Sequence, residues 1–196
     1  MRVTIHFVAW CLGIVPPETQ TSEAERECLT RHASGRKRLV EIGVWHGVTT
    51  ARLRAAMAAD AVLFAIDPFP QGRFGFSMQR IIAKREVGRI PNGTVRWVRL
   101  AGDAAGRRFS ASGEPPIDFL FIDGDHSYEG LRADWEAWSP LIAAGGVVAL
   151  HDSRSSQSRS IQEAGSALFT RERIIADPRF SLIDVVDTLS LLRRIP

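Results

Sequence analysis

The chain has 196 residues, of which 45% are hydrophobic and 24% are charged, and this composition is typical of a folded domain rather than a disordered chain. Its 25 basic and 22 acidic residues leave a formal net charge of +3, and the arginines are scattered, which argues against a nucleic-acid-binding face. No apolar run approaches the roughly 20 residues that span a bilayer, so we expect no membrane segment. Two widely separated cysteines, Cys11 and Cys28, favour a reducing, cytoplasmic location.

The N-terminal part of the chain predicts an arm followed by a helix. We expect residues 1–20 to form this arm, as a strand or an irregular segment, and residues 21–196 to form a single core domain. The arm is apolar over Val3–Val15, which suggests a contact in a homodimer. The sequence from Ser22 to Glu25 has the form of a capping box, in which each side chain binds the other residue's backbone N–H, and it predicts a helix over Glu23–His32.

Residues 38–151 alternate between short β-rich runs and helical stretches. The predicted strands are Arg38–Val44, Val62–Asp67, Val95–Leu100, Ile117–Asp123 and Gly146–His151. The predicted helices between them are Val48–Ala59, Phe76–Gly88, Ala104–Phe109 and Tyr128–Ala143. This alternation predicts an α/β fold, with a parallel sheet, helices on both faces and the strand C-termini along one edge. A helix near Ile161–Phe169 and an antiparallel hairpin of Phe180–Val186 and Leu189–Arg194 complete the chain.

The first predicted strand ends in the pattern E-x-G-x-x-x-G, formed by Glu41, Gly43 and Gly47, with Trp45 between the glycines. Glycine allows a ligand to approach the backbone closely. The carboxylate would repel a pyrophosphate and attract a cationic ligand, so the pattern differs from the G-x-G-x-x-G of dinucleotide binders. An ordinary strand-to-helix turn would give the same pattern.

The next two strands also end in carboxylates. Asp67 follows the second strand, where an acid can accept both hydroxyls of a ribose; a simple turn before Pro68 is the alternative. Asp103 follows the third strand, before Ala104. Its carboxylate can accept from an exocyclic amine such as that of adenine, or it can cap the following helix.

The long pattern from Phe121 to Gly130, with the later sequence from Leu150 to Ser153, resembles the class I S-adenosylmethionine-dependent methyltransferases. More narrowly, it resembles the metal-dependent small-molecule O-methyltransferases of the macrocin, mycinamicin and cephalosporin-hydroxylase-like group. The resemblance implies a Rossmann-like seven-stranded sheet, mostly parallel, with an antiparallel last strand. It also implies a cofactor site for S-adenosylmethionine. That site would use Glu41, Gly43, Trp45 and Gly47 for the sulfonium-bearing methionine, Asp67 for the ribose, Asp103 and Ala104 near the adenine, and Asp123.

Asp123 and Asp152 end the fourth and fifth strands, and two converging carboxylates repel each other unless a cation or proton lies between them. Oxygen ligands suit Mg²⁺, and Mn²⁺ is the alternative. The resemblance assigns a divalent metal to Asp123 and Asp152 and extends it to His151, where relatives carry a carboxylate; His151 could instead contact the substrate. The simpler alternative is that Asp123 and Asp125 only cap the next helix.

Histidine is the residue type best suited to act as a general base at neutral pH, and His126 follows Asp123 by three residues. In the related enzymes a histidine at this place deprotonates the acceptor hydroxyl, so Asp123 and His126 are the predicted catalytic residues. The predicted function is methylation of a hydroxyl on a small molecule, such as a sugar, a glycoside or a catechol-like diol, aided by a divalent metal. The alternatives are a metal-independent methyltransferase and a protein that binds S-adenosylmethionine without catalysis. We expect no nucleic-acid or membrane partner.

Overall fold

The computed structural model describes residues 2–72 and 75–196, and a seven-stranded sheet forms its centre. The strands are β1 (Arg38–Ile42), β2 (Val62–Ile66), β3 (Thr94–Val98), β4 (Ile117–Ile122), β5 (Ile142–Leu150), β6 (Phe180–Val186) and β7 (Leu189–Arg194). Their spatial order is β3-β2-β1-β4-β5-β7-β6, in which β1 to β5 run parallel and β7 is antiparallel to both neighbours. The predicted α/β, Rossmann-like fold with its terminal hairpin is therefore confirmed.

Helices connect the parallel strands and cover the sheet. They are α1 (Arg2–Cys11), α2 (Glu23–Ala33), α3 (Val48–Ala56), α4 (Met78–Gly88), α5 (Gly102–Ala111), α6 (Tyr128–Trp138) and α7 (Gly165–Phe169). A 3-10 turn, Ser139–Leu141, follows α6, and a π-helical turn, Thr170–Ile174, follows α7.

Alternation along the strands divides the core into two layers, because successive side chains point to opposite faces. Val40 and Ile42 of β1 belong to the cluster on the α5 and α6 side, together with Trp138. Leu39 of the same strand belongs to the cluster on the α2 and α3 side, together with Leu29. With both faces covered by helices, the C-terminal edge of the parallel strands is the natural place for a ligand.

Side-chain caps fix the starts of two helices near that edge. The capping box of α2 is confirmed: the N–H of Glu25 donates to Ser22 Oγ (3.1 Å), and the N–H of Ser22 donates to Glu25 Oε2 (2.8 Å). Helix α6 begins at its cap Ser127, whose Oγ accepts from the N–H of Gly130 (2.9 Å). The chain therefore enters both helices in a defined direction.

Several predicted boundaries are wrong. The arm is not a strand: its first part, Arg2–Cys11, forms α1, which packs on α4 and donates a hydrogen bond from Trp10 Nε1 to Glu86 Oε1 (3.2 Å), and residues 16–20 have no regular secondary structure. The helix predicted to reach Ala143 ends at Trp138, because Pro140 lies in the 3-10 turn and strand β5 already begins at Ile142.

Helix α1 leaves part of its surface uncovered. Val3, Ile5 and Val8 are about half exposed, and Leu12 and Ile14 beyond the helix are more exposed still. This is the surface on which the sequence suggests a second copy of the chain, and the dimer stays a prediction. Within residues 2–72 and 75–196, no helix has the length and apolar character that crossing a bilayer requires.

Candidate active site

A cavity of about 800 Å³ opens at the C-terminal ends of β1, β2 and β4. Its walls come from the turn after β1, from Asp67 after β2, from the start of α5, and from the loop between β4 and α6. Residues 18–20 of the N-terminal segment supply a further wall. No motif in the arm indicates where residues 18–20 lie in the fold, so this wall could not be expected from the sequence.

Carboxylates dominate the charge of this cavity. The acidic lining residues are Glu18, Asp67, Asp103, Asp123, Asp125, Glu129 and Asp134, and no Lys or Arg is among the described lining residues. Burial, followed by the charges of Asp103 and Asp125, raises the pKa of Asp134 to about 7. The cavity thus carries more negative charge than its own side chains balance, and it is suited to a cationic ligand.

Asp67 holds the turn that follows β1. Its Oδ2 accepts from the backbone N–H groups of Val44 and Trp45 (both 3.1 Å), and its Oδ1 accepts from the N–H of Phe69 (2.7 Å). Trp45 has a φ of +53°, an unusual value for a bulky residue that these hydrogen bonds stabilise. A carboxylate has about four acceptor positions, so Asp67 keeps the capacity to accept from a ligand.

The two glycines of the β1 turn meet different constraints. Gly43 lines the cavity, and a Cβ there would lie 2.0 Å from the carbonyl oxygen of Asp123. Gly47 does not line it; a Cβ there would lie 2.9 Å from the Cα of Ala83 on α4. Both have a positive φ, so both positions require glycine, Gly43 for the approach of β4 and Gly47 for the packing of α4.

Glu41 lies behind the cavity wall rather than on it. Its side chain is fully buried, and neither carboxylate oxygen has a hydrogen-bond partner among the residues that the structure describes. Burial, followed by the charges of Asp123 and Asp67, raises its pKa well above the ordinary value. The resemblance implies that Glu41 contacts the cofactor. In the structure Glu41 lies behind the cavity wall, and its raised pKa favours the protonated carboxyl group.

Asp103 lines the cavity but does not cap a helix. Helix α5 begins at Gly102, with Ala101 at the cap position, so the capping alternative for Asp103 is wrong. Asp103 instead pairs with the exposed Arg107 one turn later (2.9 Å), and Ala104 is not among the lining residues. Asp123 is likewise no cap of α6, a position that Ser127 takes.

A chain of buried ionic groups runs from α2 to the cavity. His151 is almost fully buried, with its Nδ1 2.8 Å from Asp123 Oδ1 and its Nε2 3.5 Å from Glu25 Oε2, as ion pairs rather than aligned hydrogen bonds. Burial opposes the charged imidazolium, but the contacts with Asp123 and Glu25 outweigh it and raise the pKa of His151 to about 10. The two contacts therefore favour the charged imidazolium form of His151.

The pKa values of Glu25 and Asp123, the two carboxylates beside His151, are lowered. Burial would raise the pKa of Glu25, but hydrogen bonds from His151, from the Ser22 N–H and from Thr188 lower it to about 2. Burial is likewise outweighed at Asp123, where His126 and His151 lower the pKa. The capping-box pattern predicted that Glu25 lies in the first turn of a helix. It did not indicate the contact between Glu25 and His151.

His126 is the exposed end of this chain. It lines the cavity with 37% of its side chain exposed, and its Nε2 lies 3.4 Å from Asp123 Oδ1. Its Nδ1 is 3.8 Å from Asp152 Oδ2, too far for a hydrogen bond. One ring nitrogen thus faces Asp123, and the other makes no hydrogen bond within the described part of the chain.

Asp152 lies behind the cavity, beside a cation of the chain itself. Arg159 donates from its guanidinium to Asp152 Oδ1 (2.7 Å), and Asp152 is not a lining residue. Ser166 fixes the neighbouring backbone, because its N–H donates to the His126 carbonyl (2.9 Å) and its Oγ to the Asp152 carbonyl (2.6 Å). Nothing in the polar segment around Arg159 indicated this pairing from sequence.

The residues predicted to hold a divalent metal are paired with charged groups of the protein itself. Asp123, His126 and His151 offer ligand atoms within 4.8 Å of one another, but Nδ1 and Nε2 of His151 lie 2.8 Å and 3.5 Å from carboxylate oxygens of Asp123 and Glu25, so His151 would have to release a proton to bind a metal. The guanidinium of Arg159 already neutralises Asp152. Mg²⁺ prefers oxygen ligands, and Asp123 alone would be left to provide them.

Comparison with known proteins supports a relationship over the sheet and site. Residues 40–153 match a protein family described as "Methyltransferase domain". A protein of Sinorhizobium fredii, "Uncharacterized protein y4gI", is 28% identical over 129 residues, which are 62% of this chain. The matched region is only 14% of that relative's length.

Solved structures share the fold at low identity. An O-methyltransferase from Bacillus cereus in complex with SAH has a TM-score of 0.68 at 20% identity, covering 100% of this chain and 89% of its own. The O-methyltransferase TomG from Streptomyces achromogenes, in complex with SAM, has a TM-score of 0.69 at 16% identity over 100% and 91%. A putative rRNA-methylase from Clostridium thermocellum has a TM-score of 0.62 at 11% identity over 90% and 100%. Such distant likeness establishes the fold and not the acceptor.

The raised pKa of Glu41 predicts a pH-dependent stability difference. The folded protein keeps a proton that the unfolded chain releases above about pH 4.5, so Glu41 lowers stability as pH rises from there toward its folded pKa. Glu41→Gln does not lose stability in this way. The thermal midpoint of the variant minus that of the wild type should therefore be at least about 2 °C larger at pH 8 than at pH 5. Thermal unfolding checks this, with the exposed Glu27→Gln as control; a gap that does not change with pH would contradict the assignment.

Replacing His151 should remove the positive charge that Glu25 and Asp123 share. At pH 7.5 we expect His151→Gln to lose about 3–5 kcal/mol of unfolding free energy, the cost of breaking a buried ion pair from one side. His151 contributes fully below about pH 6.5, and its contribution disappears as pH rises to about 10. In denaturant titrations, the difference in unfolding free energy between the wild type and His151→Gln should therefore be smaller at pH 10 than at pH 7.5. An equal difference at both pH values would refute a charged His151.

Proposed function

Because the chain belongs to the methyltransferase-domain family matched by residues 40–153, we propose that it is an S-adenosylmethionine-dependent O-methyltransferase of small hydroxylated molecules. The acid-lined cavity carries this proposal. Among the residues that the structure describes, it is lined by carboxylates and by no Lys or Arg, at the sheet edge where ligands of open α/β sheets bind, so it favours a sulfonium cation over a phosphorylated ligand.

The nucleoside end of the donor fits around Asp67 and Asp103. Asp67 is fixed by three backbone N–H groups and keeps acceptor capacity for the ribose hydroxyls. Asp103 reaches the same cavity from the start of α5 and suits the exocyclic amine of adenine. Gly43 lines the cavity beside the end of β4 and offers backbone groups to the methionine part. A volume of about 800 Å³ exceeds the space that one nucleoside needs, so a small acceptor can share the cavity.

The acceptor end lies at His126. The donor supplies an electrophilic methyl group, and methyl transfer is an in-line displacement that needs no covalent enzyme intermediate. The contribution of the chain is to hold donor and acceptor at near-attack distance and to exclude other geometries. His126 takes the proton of the acceptor hydroxyl, and Asp123 faces the opposite ring nitrogen and stabilises the imidazolium that results.

We assign no step to a divalent metal. The positive charge beside Asp123 and Asp152 comes from His151 and Arg159, both within ion-pair distance. This favours the metal-independent alternative among the functions that the sequence allows. The negative lining also disfavours a nucleic-acid acceptor, because phosphates would approach carboxylates.

Donor binding should depend on Asp67. We expect isothermal titration to show S-adenosylmethionine binding to the wild type and at least about tenfold weaker binding to Asp67→Asn, which loses charge-assisted hydrogen bonds. Asp60→Asn is the matched control, since Asp60 is exposed and pairs with Lys37 away from the cavity. Absence of heat with the wild type, or equal affinity in both variants, would overturn the donor site.

Turnover should depend on His126 and not on metal. The assay follows formation of the demethylated nucleoside with catechol and simple glycosides as acceptor probes. His126→Gln should lower the rate by about 10²–10⁴ while its donor affinity stays at the wild-type value. Prior treatment with a chelator should leave the wild-type rate within about twofold. A rate that chelation abolishes would restore the metal-dependent alternative, and donor binding without turnover on any probe would favour a non-catalytic protein.

A further inference from the structure

A second group of ligand-type side chains lies outside the cavity, between α2 and β6. Cys28 and His32 are four residues apart on α2 and therefore point from the same face of the helix. Asp184 of β6 faces them, and none of the three lines the cavity. In the sequence, Cys28 served only as one of two widely separated cysteines that favour a reducing location.

A β-bulge directs Asp184 toward the helix. In the β6–β7 ladder, Leu182 pairs with Leu192 and Asp184 pairs with Leu191, so Ile183 is an extra residue. Leu191 belongs to the core cluster on the α2 side, and the bulge brings Asp184 to that same side. Bulges of this kind re-aim a side chain at a defined position.

The distances between the three groups are those of a tetrahedral metal site. Cys28 Sγ lies 3.5 Å from Asp184 Oδ2, and His32 Nε2 lies 3.1 Å from the same oxygen. All three ligand atoms lie within 4.8 Å of one another. With typical Zn–S, Zn–N and Zn–O bonds, the edges of a zinc tetrahedron are about 3.5 Å for S–O and about 3.3 Å for N–O. The side chains therefore need little movement to surround an ion.

We propose that Cys28, His32 and Asp184 form a Zn²⁺ site that joins helix α2 to strand β6, with water at the fourth position. A thiolate, an imidazole and a carboxylate are the ligands that zinc prefers, whereas Mg²⁺ and Ca²⁺ would require oxygens. Binding releases the thiol proton, and any proton on His32 Nε2, to the solvent. Arg31 now shares Asp184 (3.0 Å), but its side chain is 65% exposed and is free to turn away.

Titration of the metal-free, tag-free protein with Co²⁺ tests the site, because a thiolate ligand gives a near-ultraviolet charge-transfer band that histidine and carboxylate ligands do not give. We expect one such band, saturating at one ion per chain, in the wild type and in Cys11→Ser. Cys11 is the matched control, since it is a free and exposed cysteine outside the cluster. Cys28→Ser and His32→Gln should lose the band or weaken binding at least about tenfold.

Two further measurements keep the test decisive if Cys28→Ser folds poorly. Arg31→Gln removes the competing cation and should tighten cobalt binding by about two- to fivefold. Zinc at about a hundredfold excess over its Kd should raise the thermal midpoint of the wild type by at least about 5 °C, and that of Asp184→Asn much less. No thiolate band in the wild type, or a band that persists in Cys28→Ser, overturns the proposal and leaves the cluster as a hydrogen-bond contact between α2 and β6.

Discussion

Glu25, His151 and Asp123 form a buried sequence of alternating charges, and the position of the proposed general base depends on it. Glu25 comes from the first turn of α2, His151 from the end of β5 and Asp123 from the end of β4, so the chain ties a helix outside the sheet to the strand edge. His126 then lies against Asp123 at the cavity. Removing the central cation would leave Glu25 and Asp123 without the positive charge that they share, which is why the ion chain stabilises both the fold and the site.

The carboxylates of the ion chain are paired with cations of the protein, whereas some carboxylates of the cavity have no such partner among the described residues. Asp123 belongs to both groups. Behind the wall, Glu25 meets His151 and Asp152 meets Arg159, whereas Glu41 meets no cation among the described residues. In the cavity, burial and then the charges of Asp103 and Asp125 raise the pKa of Asp134, so the carboxylates there repel one another. A ligand with a positive charge relieves that repulsion, which connects the electrostatics of the site to the chemistry of a sulfonium donor.

The sequence predicted the sheet well, because β1 to β5 are short runs rich in apolar residues that alternate with helical stretches, and the hairpin of β6 and β7 has a clear turn at Asp187. It predicted Asp67, Asp103, Asp123 and His126 near one edge because parallel strands end together. It could not predict the wall from residues 18–20, the partnership of Arg159 with Asp152, or the burial of Glu41, because these depend on how distant segments pack. The π-helical turn after α7 likewise has no local signal.

The charge state of His151 decides between an internal cation and a metal ligand. Nitrogen NMR of selectively labelled histidine reports the protonation of each ring nitrogen directly. We predict that both nitrogens of His151 remain protonated from pH 6 to above pH 8, and that Glu25→Gln brings deprotonation to a lower pH. A neutral imidazole at pH 7, with one unprotonated nitrogen, would contradict the account and return His151 to the candidates for metal coordination.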